Sequence, residues 1–339
     1  MKSILVVGGA GYIGSHMVKM LSQEGYHPIT LDDFSTGFRQ SVRYGDVFEG
    51  SMADTFLLER IFTQYNIEAV MHFASFSQVG ESMVNPQIYY RNNVYHTLEL
   101  LQAVVKFEVK NFIFSSTAAV YGNPRYTPID ELHAKHAINP YGRSKSMVEN
   151  ILADFEHAYG LKFVTLRYFN AAGADPNGEL GECHDPETHL IPLVLQAALG
   201  QRDSITIFGD DYNTKDGTCI RDYIHVTDLC SAHLLALESL LDGEDSEIYN
   251  LGNGSGYSVK DVISTVEDVL DLRVPVKMGA RRAGDPEVLV ANADKALHKL
   301  GWQPRWSGLP MIVQHAANWE KQKSSKPAPL TLVNNVVVA

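Results

Sequence analysis

The stretch Ile4-Leu5-Val6-Val7-Gly8-Gly9-Ala10-Gly11-Tyr12-Ile13-Gly14 decides the fold. Its four apolar residues read as a buried strand. Ile13, Met17, Met20 and Leu21 then recur at helical spacing until Gly25 can stop the helix. Glycines between a strand and a helix permit a tight turn and bring a pyrophosphate close to the helix N-terminus, whose free N–H groups attract anions. Pro28–Leu31 reads as a second strand ending at Asp32, 18 residues beyond Gly14, where a carboxylate accepts hydrogen bonds from ribose hydroxyls. With Asp33 beside it and no basic residue directly following, a 2′-phosphate is repelled, so the motif favours NAD over NADP.

The same alternation runs outward from that unit. Leu58, Ile61, Phe62 and Tyr65 mark a helix before the strand Ala69–Phe73, and Val94, Leu98, Leu101 and Val105 mark another before Asn111–Phe114. After Pro140, Met147, Ile151 and Phe155 share one helical face ahead of the strand Phe163–Leu166. Repeated strand–helix units predict an α/β protein with a doubly wound, Rossmann-type parallel sheet and right-handed crossovers. After Phe169 the pattern changes. Residues 171–189 are rich in Gly, Asp, Glu, Pro and His without a period, which reads as a long functional loop. The remainder to about residue 320 mixes short strands (Ile205–Phe208, Ile220–His225) with helices (Leu229–Leu241, Lys260–Leu270), a smaller mixed α/β unit on the substrate side.

Composition narrows the partners. An apolar share of 45% and a charged share of 20% over 339 residues are those of a globular protein. A net charge of −12 argues against nucleic acid and anionic membranes as partners, though it leaves room for a basic pocket. Cys183, Cys219 and Cys230 form no CxxC pair and read as reduced thiols of a cytoplasmic protein. No stretch approaches the roughly 18–20 apolar residues of a membrane span.

Tyr141-Gly-Arg-Ser-Lys145 places a phenol and an ammonium one helical turn apart on the same face. A phenol of pKa about 10 is a poor base at neutral pH, and lowering it by about three units takes roughly 4 kcal/mol of differential stabilisation. A nearby lysine and a cationic nicotinamide ring both favour the phenolate. Upstream, the strand Asn111–Phe114 runs into Ser115-Ser116-Thr117-Ala118-Ala119-Val120-Tyr121-Gly122, hydroxyls at the carboxyl edge where doubly wound sheets bind ligands.

Together, GGAGYIG, HFA at 72–74, SSTAAVYG, YGRSK, RYFN at 167–170 and RDYIHVTD at 221–228 resemble the extended short-chain dehydrogenase/reductase family. GES at 80–82, YFNAAGA, HLIP and RRAGDP narrow the resemblance to its UDP-glucose 4-epimerases, to about residue 315. The resemblance implies Tyr141 as catalytic base, Lys145 holding the nicotinamide ribose, and Thr117 relaying protons. It implies an NAD cleft lined by Gly8, Gly11, Tyr12, Ile13, Gly14, Asp32, Phe34, Ser35, Thr36, Gly37, Ser51, Met52, Phe73, Ala74, Ser75, Asn92, Ser115 and Tyr168. A UDP-sugar would contact Asn170, His189, the segment Leu190–Pro192, Thr206, Phe208, Arg221, Arg282, Asp285 and Leu289, besides Thr117 and Tyr141. Residues 1–169 would hold NAD, rejoined by about 221–251, residues 170–220 and 252–320 would hold the UDP-sugar, and 321–339 would form a tail. A homodimer follows from the same likeness through the helices near Leu98–Val105 and Met147–Phe155.

Three positions depart from the family's usual residues: Ser51 where an Asp faces adenine, Ser77 near the cofactor diphosphate, and Leu289 at a sugar-pocket wall that is tyrosine in some members. The nearest competing activity, a 4,6-dehydratase, carries an Asp-Glu pair where this chain has Ala118 and Ala119, which transfer no protons. A decarboxylase, a simple NAD-linked reductase and an NAD-binding scaffold with a relic site are lesser alternatives. No metal is expected: neither His133 and His136 nor Cys183, His184 and His189 show a zinc spacing, and they read as solvated loop residues. Asp210, Asp211 and Asp216 read as a solvated acidic loop, and His225 as structural.

Overall fold

The computed structural model describes residues 1–282, 285–306 and 308–325. Six strands form in the first half: β1 (Ser3–Val7), β2 (His27–Asp32), β3 (Asp46–Glu49), β4 (Ile67–His72), β5 (Asn111–Thr117) and β6 (Lys162–Tyr168). The chain then leaves through β7 (Asn170–Ala172), β8 (Ile205–Phe208), β9 (Ile220–Arg221) and β10 (Tyr223–His225), and returns in β11 (Glu247–Leu251). The seven-stranded sheet runs β11-β6-β5-β4-β1-β2-β3, every neighbour parallel. Strand order reverses between β1 and β4, and ligands of such sheets bind at the carboxyl ends beside that switch.

Helices cover both faces. α1 (Tyr12–Gln23) lies on one, α2 (Thr55–Gln64) on the other, where they fill two separate apolar layers. Short α3 (Val79–Val84) and α4 (Pro86–Tyr89) lead into α5 (Thr97–Lys106) and α6 (Pro140–Tyr159) on the α2 side. α6 starts where the sequence directs it: the Asn139 side chain accepts from Gly142 N–H, Pro140 occupies the first turn, and Gly160 ends the helix at φ 70°. Beyond the sheet, α7 (Leu190–Ala198) gathers a third core, while α8 (Val226–Leu241) packs beside α1. α9 (Val259–Leu270), between β12 (Tyr257–Ser258) and β13 (Val276–Gly279), and α11 (Leu309–Ser325) complete the third core; β14 (Val288–Leu289) and α10 (Asp294–His298) lie between them in sequence.

Several expectations are corrected. The run Ile220–His225 is two strands: β9 pairs with β12 and β14, β10 with β7. Between them Asp222, fully buried, accepts N–H groups of Asn253, Gly254 and Ala291, which ties two distant segments to one carboxylate. β5 continues through Thr117, so the hydroxyls belong to the strand itself. A π-helical turn, Tyr90–His96, interrupts the helix before β5. The last helix runs to Ser325, past the expected tail boundary at Lys321; residues 326–339 lie outside the described residues. No helix among the described residues is long and apolar enough to cross a membrane.

Beneath the carboxyl edge a buried network joins three strands to α6. Arg167 of β6 grips Glu149 of α6 with two hydrogen bonds (2.9 and 2.7 Å) and donates to the Tyr121 hydroxyl at 2.9 Å. Ser116 of β5 donates to Glu149 at 2.6 Å, and Tyr121 donates to Asn250 of β11 at 2.6 Å. Burial by itself would raise the Glu149 carboxyl, but Arg167, Ser116 and Lys135 together hold it below its ordinary value. A depressed carboxylate stabilises the fold above its unfolded pKa, and that contribution is lost as pH falls through the lower folded value. Glu149→Gln, which strands a buried guanidinium, is expected to cost about 3–5 kcal/mol. Urea unfolding at pH 7 measures this, and the gap between wild type and variant should shrink in acid; a gap that widens there contradicts the assignment.

Candidate active site

The turn after β1 is shaped for close approach. Gly8 sits at φ 84°, and a Cβ there would lie 2.4 Å from the Ala74 backbone nitrogen; on Gly14 it would lie 2.1 Å from the Gly8 carbonyl. Only glycine permits that packing. α1 begins at Gly11 with no side-chain cap, so its first N–H groups meet whatever occupies the turn. This cradle and the following acid fit a dinucleotide pyrophosphate and ribose. Asp32 accepts from Ala10 and Phe34 N–H groups, 2.8 Å each, which fixes its carboxylate at the end of β2. Phe34 adopts φ 55°, Ser35 bonds to Asp33, Thr36 is exposed, and Gly37 presses on Ala10. Ser51 accepts from Ala53 N–H beside buried Met52. Phe73 and Ala74 N–H groups bond the Val7 carbonyl, closing the switch point between β1 and β4. Ser77 is exposed. Tyr12 directs its phenol away, to the Gly173 carbonyl at 2.7 Å, and Ile13 packs into the core.

Tyr141 and Lys145 emerge from the first turns of α6, facing the end of β5. Both are buried, and Tyr141 is hydrogen-bonded to Thr117. Lys145 donates to Ser75 Oγ and to the Ser115 carbonyl, 2.7 Å each. Burial lowers its pKa to about 7, opposed by the Glu149 charge one turn further along α6. Burial raises the Tyr141 phenol above its ordinary value, with the Thr117 hydrogen bond opposing it. Without dinucleotide, no attraction from Lys145 offsets that burial at the phenol. Its ammonium is spent on Ser75 and Ser115, and in a dry pocket desolvation dominates. A cationic nicotinamide ring, the other expected source of positive charge, would add to the stabilisation of the Tyr141 phenolate.

His233, Asn93 and Ser144, unmarked in the sequence reading, help Ser115, Tyr168 and Asn92 hold this centre. Ser115 Oγ pairs with His233 Nε2 at 2.9 Å, and His233 Nδ1 meets the Leu229 carbonyl at 2.8 Å. Burial lowers His233 to about 4, so it is a neutral holder of Ser115. Tyr168 shares the Ser115 hydroxyl, and burial raises its phenol as well. Asn92 donates to Asn93, whose amide clamps the Phe76 backbone (2.9 and 3.0 Å) and reaches Ser144 of α6 at 3.1 Å. Both asparagines lie in the π-helical turn, a distortion frequent at functional sites. A signal was present in the sequence: Tyr141, Lys145 and Glu149 recur every four residues on one helix face.

The expected nucleotide-sugar residues make local pairings beyond the main sheet. Arg221 ion-pairs with Asp285 at 3.2 Å, and Leu289 sits opposite it in the β9–β14 register. The Arg282 guanidinium stacks 4.0 Å from the Phe208 ring centre, with Thr206 on the same strand. Asn170 donates to the Asp222 carbonyl at 3.1 Å. Leu190 opens α7, with His189 as its N-cap residue.

Of the histidines expected to be solvated, His136 is exposed, while His133, His184 and His189 are engaged instead. His133 is buried and accepts from Arg125 N–H at 2.9 Å. His189 pairs with the buried Glu182, as does His184 at 3.2 Å. Burial opposes charge on His184, yet Glu182 and Glu187 push it up to about 10. Asp210 and Asp211 are exposed, as expected of a solvated acidic loop, with Asp211 on Arg281, while Asp216 is half-buried and bonds Thr218 and Ser258. His225, expected to be structural, bonds His315 at 2.9 Å.

Comparison with known proteins agrees with this geometry. The sequence model of the NAD dependent epimerase/dehydratase family matches residues 4–252. The UDP-glucose 4-epimerase of Halalkalibacterium halodurans is 50% identical over 320 residues, 94% of this chain and 96% of that protein. The crystal structure of UDP-glucose 4-epimerase from Brucella ovis in complex with NAD superposes with a TM-score of 0.92 at 50% identity, covering 94% of this chain and 98% of that one. The UDP-Glc/GlcNAc 4-epimerase of Campylobacter jejuni does so with a TM-score of 0.83 at 42% identity, covering 95% and 100%.

The Tyr141 electrostatics have a measurable consequence. In protein stripped of dinucleotide, the phenolate absorbance that disappears in Tyr141→Phe should develop only above a pH of about 10. Restoring NAD should move it downward, and turnover should fall as pH drops through that lower value. A Tyr141 signal already low without dinucleotide would return the tuning role to Lys145.

Proposed function

The chain belongs to the NAD dependent epimerase/dehydratase family, and from that membership and the site we propose that it interconverts UDP-glucose and UDP-galactose by inverting C4 of the hexose. The observation that carries the reading is the burial of Tyr141 and Lys145 together at the carboxyl edge of β5, where Lys145 donates to Ser75 and the Ser115 carbonyl and two alanines follow Thr117. NAD, when bound, supplies the hydride acceptor and donor through which the sugar passes as a transient 4-keto form. Tyr141 holds and returns the 4-hydroxyl proton, with Thr117 as relay. Lys145, fixed by Ser75 and Ser115, is placed to hold the ribose. Ala118 and Ala119 offer no second acid/base pair, which removes dehydration.

Inversion requires the sugar to present both faces while the nucleotide stays put. Arg221, Arg282 and Asp285 serve the diphosphate end, where guanidinium forks suit phosphate oxygens. Asn170, Thr206, Phe208, His189 and Leu190 complete that side, so residues 170–220 and 252–320 form the UDP-sugar domain against an NAD domain of 1–169 rejoined by 221–251. The three free cysteines are consistent with a cytoplasmic enzyme. Partly exposed Met147 and Ile151 of α6 support a homodimer formed through that helix.

A second substrate pair follows from Leu289. Leucine leaves more room than tyrosine, so a 2-acetamido group is accommodated, and the enzyme also interconverts UDP-GlcNAc and UDP-GalNAc. Two experiments decide these readings. Tyr141→Phe should lower turnover of UDP-galactose at least about 100-fold with NAD content unchanged; full activity would sink the mechanism. Leu289→Tyr should lose UDP-GalNAc turnover selectively, whereas a wild-type enzyme inert to UDP-GalNAc rules out the second pair.

A further inference from the structure

The loop between β7 and α7 carries a feature that epimerisation does not use. Glu182, His184, Glu187 and His189 bring one ligand atom each to within 4.8 Å of all the others. His184 Nδ1 lies 3.2 Å from Glu182 Oε1 and 3.6 Å from Glu187 Oε1, and His189 Nδ1 lies 3.8 Å from Glu187 Oε1. Ligands about 2.1 Å from a tetrahedral zinc ion are separated by about 3.4 Å, so these spacings already approach the edges of such a polyhedron.

Two further observations point to a ligand. The side chains of Glu182 and Glu187 are 5% and 6% exposed, a costly place for two carboxylates. Glu187 Oε2 is buried without a hydrogen-bond partner. Glu187 Oε1 accepts from Thr188 and His189 N–H at 2.8 and 3.0 Å, which fixes the carboxylate as a supporting shell would. The His189 side chain, 53% exposed, leaves an entry path from solvent.

We propose that Glu182, His184, Glu187 and His189 form a site for one divalent transition-metal cation of the zinc class. Two imidazoles with two carboxylates are borderline donors that suit such ions better than calcium or magnesium. Two carboxylates balance the cation's charge. The site ties the two halves of the cleft together: the His184 ring lies edge-on to Tyr12 at 6.3 Å, and His189 is the N-cap residue of α7. Trp319 of α11 anchors the Glu182 carbonyl at 2.9 Å. It also commits the His189 ring to the cation, so its contact with the nucleotide is through the backbone.

The test uses the full-length NAD-loaded enzyme, freed of metal with a chelator and titrated with zinc chloride and, separately, cobalt chloride. Expected are one zinc retained per chain after desalting and visible cobalt bands of tetrahedral intensity. His184→Gln and Glu187→Gln should each weaken zinc at least about 10-fold, with His298→Gln, a surface histidine elsewhere, unchanged. The half-exposed His189→Gln decides if a buried variant fails to fold. No retained zinc, or zinc held equally by the folded variants, overturns the site.

Discussion

The Glu149–Arg167 pair is the contact on which the catalytic edge depends. Two charges only 2% and 3% exposed cost several kcal/mol to desolvate, and their attraction offsets this only with good geometry and further hydrogen bonds. Here every capacity is used: Arg167 spans both carboxylate oxygens and the Tyr121 hydroxyl, while Glu149 also takes Ser116 and Lys135. The arrangement fixes the depth of α6 against β5 and β6. Tyr141 and Lys145 lie two turns and one turn before Glu149 on the same face, so the network sets where the phenol and ammonium meet the sheet edge. A hydrophobic replacement of equal volume could hold the helix, but it would leave Ser116 without its acceptor and Tyr121 without its Arg167 donor at the base of the site.

The first half of the fold was legible because each unit repeats one pattern: a short apolar run, a turn, then apolar residues at helical spacing. Ligand-side landmarks followed for the same reason, since the chemistry of a sheet's carboxyl edge is written in the residues directly after each strand. β3 escaped notice because it is a short edge strand with only Phe48 buried, which carries no period. β11 escaped because Glu247-Ile248-Tyr249-Asn250-Leu251 spends its asparagine on Tyr121 and the Ile129 carbonyl, a long-range pairing no local pattern encodes. Asp222 breaks an apparently continuous strand for the same kind of reason. Its role is to gather backbone N–H groups from residues distant in sequence.

Charge states were the least legible part. Sequence spacing puts Lys145 beside Tyr141 but cannot say what the ammonium is bonded to. The structure directs it to Ser75 and Ser115, and burial is the largest influence on the Tyr141 phenol, raising it above its ordinary value. Histidines show the same limit. His233 is neutral because it sits in apolar surroundings with a hydroxyl and a carbonyl as partners, while His184 stays protonated because two carboxylates face it. Thirteen histidines are alike in the sequence, and only their neighbours separate a holder from an ion-pair partner.

An inverting site that uses one base must grip its substrate unevenly, and the placement of charge in the cleft meets that demand. The guanidinium groups assigned to substrate, Arg221 and Arg282, stand on the β9 and β13–β14 side, while the sheet edge offers hydroxyls, phenols and a committed lysine. Arg221 is already paired with Asp285, so a diphosphate exchanges one anionic partner for another and meets an oriented guanidinium. Arg282 rests on the Phe208 ring, which holds the guanidinium plane without consuming its hydrogen bonds. Binding energy is thereby concentrated on the nucleotide, far from C4. A sugar held as proposed would meet Tyr141, Thr117 and Leu289, which can exchange a proton or provide a wall but carry no charge that would pin one face of the ring.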